Sequence, residues 1–232
     1  MVKLMENTTR DVNIAIANEF SRLAEKFGVD VWEAIRLANL HPRINILSPG
    51  PGVGGHCISV DPWFLVEAAP ELTSLIYQAR RVNDEQPHFV VQKVKQAFLK
   101  TQTSLTGTNI LDGLKIAALG LAYKPDVDDL RESPAAEVVH LLQEEGAQVK
   151  VWEPFKPDAS IKGIEMASSL ETALQEAELI LLLVKHTEFL KYDPIDIASK
   201  TNARQVVDCI NGLEQEPWNA AGFQIVRLGV NQ

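Results

Sequence analysis

Leu179, Ile180, Leu181, Leu182, Leu183 and Val184 form an unbroken apolar run. A strand of that kind has no polar face to offer water, so it belongs inside a sheet covered on both sides. Shorter apolar segments accompany it at 115–120, 149–152, 164–166, 206–210 and 224–228. Helical stretches lie between them. Ser133 and Pro134 read as cap and first turn of a helix ending at Gly146, and 170–177 as a short helix. Strands alternating with helices predict a parallel, doubly wound sheet.

The preceding hundred residues have a different texture. Residues 1–27 read as an amphipathic helix, with Val12, Ile16, Phe20, Leu23 and Phe27 as its apolar stripe and Gly28 as its stop. Val2, Leu4 and Met5 already keep helical spacing with no N-cap before them, so the chain reads as opening inside a helix, as a fragment does. Asp30 and Glu33 make a capping-box pattern for a second helix ending near Leu40, before His41-Pro42. Residues 71–101 carry a long helical pattern kinked at Pro87, with two apolar edges that suit either a bundle or a dimer interface. Thr, Ser, Gly, Asn and Asp over 103–113 mark a linker. The expectation is therefore α/β: a helical domain over 1–104, then a sheet domain over 105–232.

The net charge of −9 argues against non-specific nucleic-acid binding. No apolar run reaches the length of about 18 residues that a membrane span needs. The first residues lack an apolar signal-peptide core. Cys57 and Cys209, far apart in different contexts, do not make a disulfide framework. A cytoplasmic location is expected.

One loop concentrates the chemistry. Pro49, Gly50, Pro51, Gly52, Gly54 and Gly55 precede His56 and Cys57, and Asp61-Pro62 follows. Glycine lets backbone crowd against a ligand, so the loop reads as flexible and ligand-facing, with Cys57 offered to something. Asp61 reads as N-cap of the helix that Pro62 opens. A helix N-terminus and neighbouring cations favour the thiolate, the nucleophilic form of cysteine. Cys209, in an apolar strand, reads as a small core residue. His56-Cys57 has no second cluster and is not read as a metal site.

Other motifs are weaker. The first sheet strand ends Gly120-Leu121-Ala122, where a dinucleotide fold carries G-x-G-x-x-G; two glycines are missing, so a standard NAD site is rejected in this domain. Lys124 nearby suits a phosphate. Glu153, after the second strand, stands where a ribose-binding acid stands, but without the glycine loop it reads as a solvated loop residue. Asp126, Asp128 and Asp129 lack the rest of a calcium loop and read as a solvated acidic turn. Arg131 reads as a surface ion pair or as an anion contact beside the helix at Pro134.

The stretches Lys3 to Ala15, His41-Pro42-Arg43, Pro49 to Phe64, Gly120 to Pro125 and Leu130 to Pro134 together resemble the nucleotide-sugar 6-dehydrogenases, the family of UDP-glucose and GDP-mannose dehydrogenases. The resemblance covers essentially the whole chain. It implies a central helical dimerisation domain followed by a Rossmann-like UDP-sugar-binding domain, without the family's N-terminal NAD-binding domain, so stand-alone activity is not expected. Cys57 resembles the family's thiohemiacetal- and thioester-forming nucleophile. Lys3 and Asn7 resemble its oxyanion-stabilising pair, and Asp61 the carboxylate that supports water and proton transfer. Leu47, Gly54, Tyr123 and Lys124 resemble substrate contacts, and Arg43 an arginine reaching the substrate of a neighbouring subunit. Arg131 resembles a contact to the NAD cofactor. The implied partners are a UDP-sugar and a second copy of the chain, with no metal, nucleic acid or membrane. A non-catalytic UDP-sugar-binding dimerisation module is the alternative of a different class.

Overall fold

The structure, a computed structural model, describes residues 1–100 and 110–231. The expected boundary at 104/105 and most of the 103–113 linker lie outside them. In chain order come α1 (Val2–Phe27), α2 (Val31–Ala38), α3 (Asp61–Ala68), α4 (Ser74–Asp84), α5 (Gln86–Leu99), β1 (Lys115–Leu119), α6 (Pro134–Glu144), β2 (Gln148–Trp152), β3 (Glu165–Met166), α7 (Leu170–Leu174), β4 (Leu179–Leu182), α8 (Pro194–Lys200), β5 (Gln205–Asp208), α9 (Gln215–Ala220) and β6 (Gln224–Arg227). Helices α8 and α9 were not anticipated. Asp193-Pro194 carries the missed signal: Asp193 caps α8 by accepting from the Ile195 amide.

The six strands are parallel in the order β3-β2-β1-β4-β5-β6, so the strand order reverses between β1 and β4. Its two faces are covered by different helices. Ile116, Ala118, Leu181 and Val207 pack with Val90, Val94, Val138 and Leu142 of α5 and α6. Ala117, Leu119, Ile180, Leu182 and Val206 pack with Leu174, Ile197, Trp218 and Phe223 from the other side. Residues 179–183 of the apolar run alternate between the two cores, and Val184 stays with the first. The kink at Pro87 is a break: α4 ends at Asp84, and α5, with Pro87 in its first turn, crosses onto the sheet.

Helix α1 turns its apolar stripe outward. Ile16, Phe20, Leu23 and Phe27 are 41–70% exposed, whereas Asn7, Thr8, Asp11, Ala15, Asn18 and Ser21 are buried. The buried face is polar because it packs on α4 through hydrogen bonds. Arg80 pairs with Asp11 at 2.5 Å and also with Asp84. The Asn83 amide donates to Asp11 Oδ1 at 2.8 Å, and the Asn18 amide donates to Asn83 Oδ1 at 2.9 Å. Burial raises the Asp11 carboxyl above its ordinary value, against the opposing charge of Arg80.

Besides α5, which packs on the sheet, the helical part meets the sheet domain at two further places. Beyond β6, the Gly229 carbonyl accepts from the Val31 amide at 3.1 Å, and Trp32 Nε1 donates to the Leu228 carbonyl at 2.8 Å. The second meeting place is the glycine loop.

Candidate active site

The turn over 55–60 leads straight into α3. The Cys57 carbonyl accepts from the amides of Val60 (3.1 Å) and Asp61 (2.7 Å), and the Ser59 hydroxyl donates to the Gly55 carbonyl. Helix α3 therefore begins with Asp61 as its first residue, and the position before it is Val60, without a side-chain cap. The expected N-cap role of Asp61 is overturned. Its carboxylate is free to turn away from the helix, and Oδ2 accepts from the Asn7 amide at 2.5 Å. Asn7 is buried, Asp61 and the Cys57 thiol half-buried. Lys3, one turn before Asn7 on α1, is exposed. Three of the four expected catalytic residues thus form one bonded group, with the fourth on the same helix face.

The glycines of the loop make room for the protein itself. A Cβ on Gly54 would stand 2.3 Å from the Glu132 carbonyl oxygen and 2.6 Å from Pro134 Cδ. One on Gly55 would stand 2.8 Å from the Tyr123 ring, and Gly55 has φ of +85°. The loop is clamped to the 123–134 segment, and Gly50 is tied by its amide to Asn18 Oδ1 at 3.0 Å. The side-chain positions of Gly52, Gly54 and Gly55 are thus turned towards other parts of the chain. Leu47 is half-buried on the chain entering this loop, and Arg43 lies on an exposed turn after α2.

The sheet's contribution comes from the β1–α6 connection. Lys124 Nζ lies 5.5 Å above the Tyr123 ring, a cation–π pair. Arg131 makes a two-pronged pair with Asp129 (2.9 and 2.7 Å). The hydrogen bonds from Arg131 hold the Asp129 carboxyl well below the usual carboxylate range. The Arg131 guanidinium is held above its ordinary value, chiefly by the hydrogen bonds of Asp129, with smaller contributions from Tyr123 and Cys57. A cleft of about 820 Å³ opens beside the turn, lined among others by Ser59, Val60, Arg80, Asn83, Arg131 and Ser133.

Glu153 contradicts its expected solvated role. It is fully buried, and its Oε2 accepts from the amides of Leu121 (2.7 Å) and Ala122 (2.9 Å). Burial pushes its carboxyl up, but the hydrogen bonds from His186 and from the Leu121 and Phe155 amides outweigh this and hold it below its ordinary value. His186, equally buried, escaped sequence reasoning altogether because nothing around it forms a motif. The amides after Gly120 are therefore taken by an internal carboxylate, and this domain's residues do not fit a dinucleotide phosphate.

Comparison with known proteins places this arrangement. The family model for the UDP-glucose/GDP-mannose dehydrogenase central domain matches residues 1–85, and the model for the UDP binding domain of the same family matches residues 117–215. The chain belongs to the UDP-glucose/GDP-mannose dehydrogenase family. A relative from Methanocaldococcus jannaschii named UDP-N-acetyl-D-mannosamine dehydrogenase is 48% identical over 232 residues, 99% of this chain and 51% of its own length. One from Ralstonia solanacearum named NDP-N-acetyl-D-galactosaminuronic acid dehydrogenase is 48% identical over 211 residues, 90% of this chain and 46% of its own. The solved UDP-D-ManNAc dehydrogenase of Pyrococcus horikoshii superposes with a TM-score of 0.83 at 38% identity, over 99% of this chain and 51% of that one. The chain spans about half the length of the curated relatives it matches. The Cys57 turn falls in the dehydrogenase family's central domain and Tyr123 to Arg131 in its UDP binding domain.

Proposed function

We propose that this chain is the dimerisation and UDP-sugar-binding part of an NAD-dependent UDP-N-acetyl-D-mannosamine 6-dehydrogenase, which oxidises the sugar C6 hydroxymethyl to a carboxylate. The observation that carries the reading is the bonded group of Asn7, Asp61 and the Cys57 turn, inside a span that matches the family's central domain. Conversion of an alcohol to an acid takes two two-electron oxidations, for which the family implies NAD as acceptor. The residues described do the remaining work. The Cys57 sulfur adds to the C6 aldehyde and gives a thiohemiacetal. After the second oxidation the acyl group rests on the sulfur as a thioester, and water releases the acid. Lys3 and the Asn7 amide face the oxygen that bears developing negative charge; donors so placed contribute roughly 3 kcal/mol each. Asp61 takes a proton from the attacking water.

Tyr123 and Lys124, with the backbone at Leu47 and Gly54, hold the nucleotide sugar. Arg131 meets the cofactor across the cleft. The exposed stripe of α1 pairs with a second copy of the chain, and Arg43 reaches that copy's substrate. The chain alone binds UDP weakly and does not reduce NAD.

The test uses the chain joined to an NAD-binding domain of a relative, supplied with UDP-N-acetyl-D-mannosamine. Two NADH per acid formed, abolished by Cys57→Ala, is the expected result. Near-normal acid formation by Cys57→Ala removes the cysteine from the mechanism. Turnover of only the N-acetylglucosamine or N-acetylgalactosamine epimer overturns the assigned sugar.

A further inference from the structure

Glu153 leaves the carboxyl end of β2 and His186 follows β4, on either side of β1, at the point where the sheet order reverses. Open parallel sheets receive ligands in that crevice. Here it is filled from within. The Asp126 amide donates to His186 Nδ1 at 2.9 Å. That nitrogen is therefore the acceptor, and Nε2 carries the proton it shares with Glu153 Oε2, 3.1 Å away. Glu153 Oε1 accepts from the Phe155 amide at 3.0 Å. Phe155 stacks on the imidazole at 4.9 Å, and Phe189 meets it edge-on at 5.2 Å. Asp126 returns to the same strand end by accepting from the Thr187 amide (2.8 Å) and hydroxyl (2.6 Å).

Both ends of the segment 121–126 are thereby fixed, and Tyr123 lies inside it. Its ring stands against Gly55 and its Cβ against Gly54, so closely that neither glycine could carry a side chain without displacing it. Gly55 in turn opens the turn that presents Cys57. A continuous set of contacts joins the buried pair to the turn that carries Cys57.

We propose that Glu153 and His186 are positioning residues: they occupy the crevice, set the place of Tyr123, and through Tyr123 hold the Cys57 turn. The catalytic meaning of this rests on the reading of Cys57 as the nucleophile; the positioning itself does not.

The experiment follows alkylation of Cys57 by iodoacetamide in the full chain, read as mass gain of its peptide. Cys209, fully buried, reports global opening in the same sample. Below the melting transition, Glu153→Ala and Tyr123→Ala each raise the Cys57 rate about threefold or more, with Cys209 unlabelled, and the double variant adds nothing further. An unchanged or lower Cys57 rate overturns the proposal. So does labelling of Cys209 in step with Cys57, which reduces the pair to general stability, and so does additivity in the double variant. Should Glu153→Ala not fold, His186→Gln carries the same expectation. UDP titration of the parent chain tests the substrate reading separately, since its failure leaves the alkylation result standing.

Discussion

The Asn7 side-chain amide reaches across 54 residues of sequence to the Asp61 carboxylate and donates to it at 2.5 Å. The bond joins the second turn of α1 to the first residue of α3, and it holds the carboxylate next to the turn that carries Cys57. Asp61→Asn keeps the shape but removes the carboxylate to which the proposed mechanism gives the role of proton acceptor. In the complete enzyme kcat falls about a hundredfold with KM little changed, measured by steady-state NADH formation. A rise in KM alone would make Asp61 a binding residue.

Gly54→Ala meets backbone and proline ring, neither of which can swing aside. The cost is about 1–3 kcal/mol, read as a lowered denaturant midpoint at unchanged slope. Gly50→Ala, with no atom within 4 Å of the new methyl group, stays within about 0.5 kcal/mol.

Asp11→Ala leaves the Arg80 guanidinium, almost wholly buried, with Asp84 as its remaining carboxylate partner. Breaking a buried pair from one side costs about 3–5 kcal/mol. Chemical denaturation of the variant checks this; a loss below 1 kcal/mol, the range of a surface pair, would place the pair outside the stability core.

Phe20, 41% exposed in the middle of the α1 stripe, is the position to test for self-association. Phe20→Asp is expected to sediment as a monomer at concentrations where the parent is a dimer, with an unchanged circular dichroism spectrum. A variant that remains dimeric would move the interface elsewhere.

Glu153 is held below its ordinary value of 4.5. On acidification the unfolded chain therefore binds the proton first. The stability this carboxylate contributes is fully present above about pH 5 and is lost as pH falls through its folded-state pKa. The stability difference between parent and Glu153→Gln is expected to be constant from pH 6 to 8 and to shrink towards pH 3. A difference that grows on acidification would reverse the sign of the shift.

Most helix and strand positions followed from periodicity and caps, with α8, α9 and the break between α4 and α5 as the exceptions. Ser133 accepts from the Ala135 and Ala136 amides, and Asp30 from those of Trp32 and Glu33. These are local interactions between residues a few positions apart, so local sequence is enough to read them. The run at 179–184 was legible for the same kind of reason: burial on both faces excludes every polar side chain. The candidate site was legible in its residue types and in its likeness to the family, but its bonding was not. At Asp61 the local preference for an N-cap gave way to a partner from α1. At Glu153 the expectation of solvent gave way to two amides brought in by β1.

The sequence by itself determined the two textures, the parallel sheet and the glycine-rich loop around Cys57, because hydrophobic period, turn chemistry and residue type act at short range. The tertiary structure decided which face of α1 is buried, why the loop is rich in glycine, and what fills the crevice at the sheet's reversal. Each of those depends on a partner distant in sequence. Periodicity in α1 marks an apolar stripe but cannot say whether that stripe turns inward. A polar face that hydrogen-bonds to Arg80 and Asn83 went inside in its place.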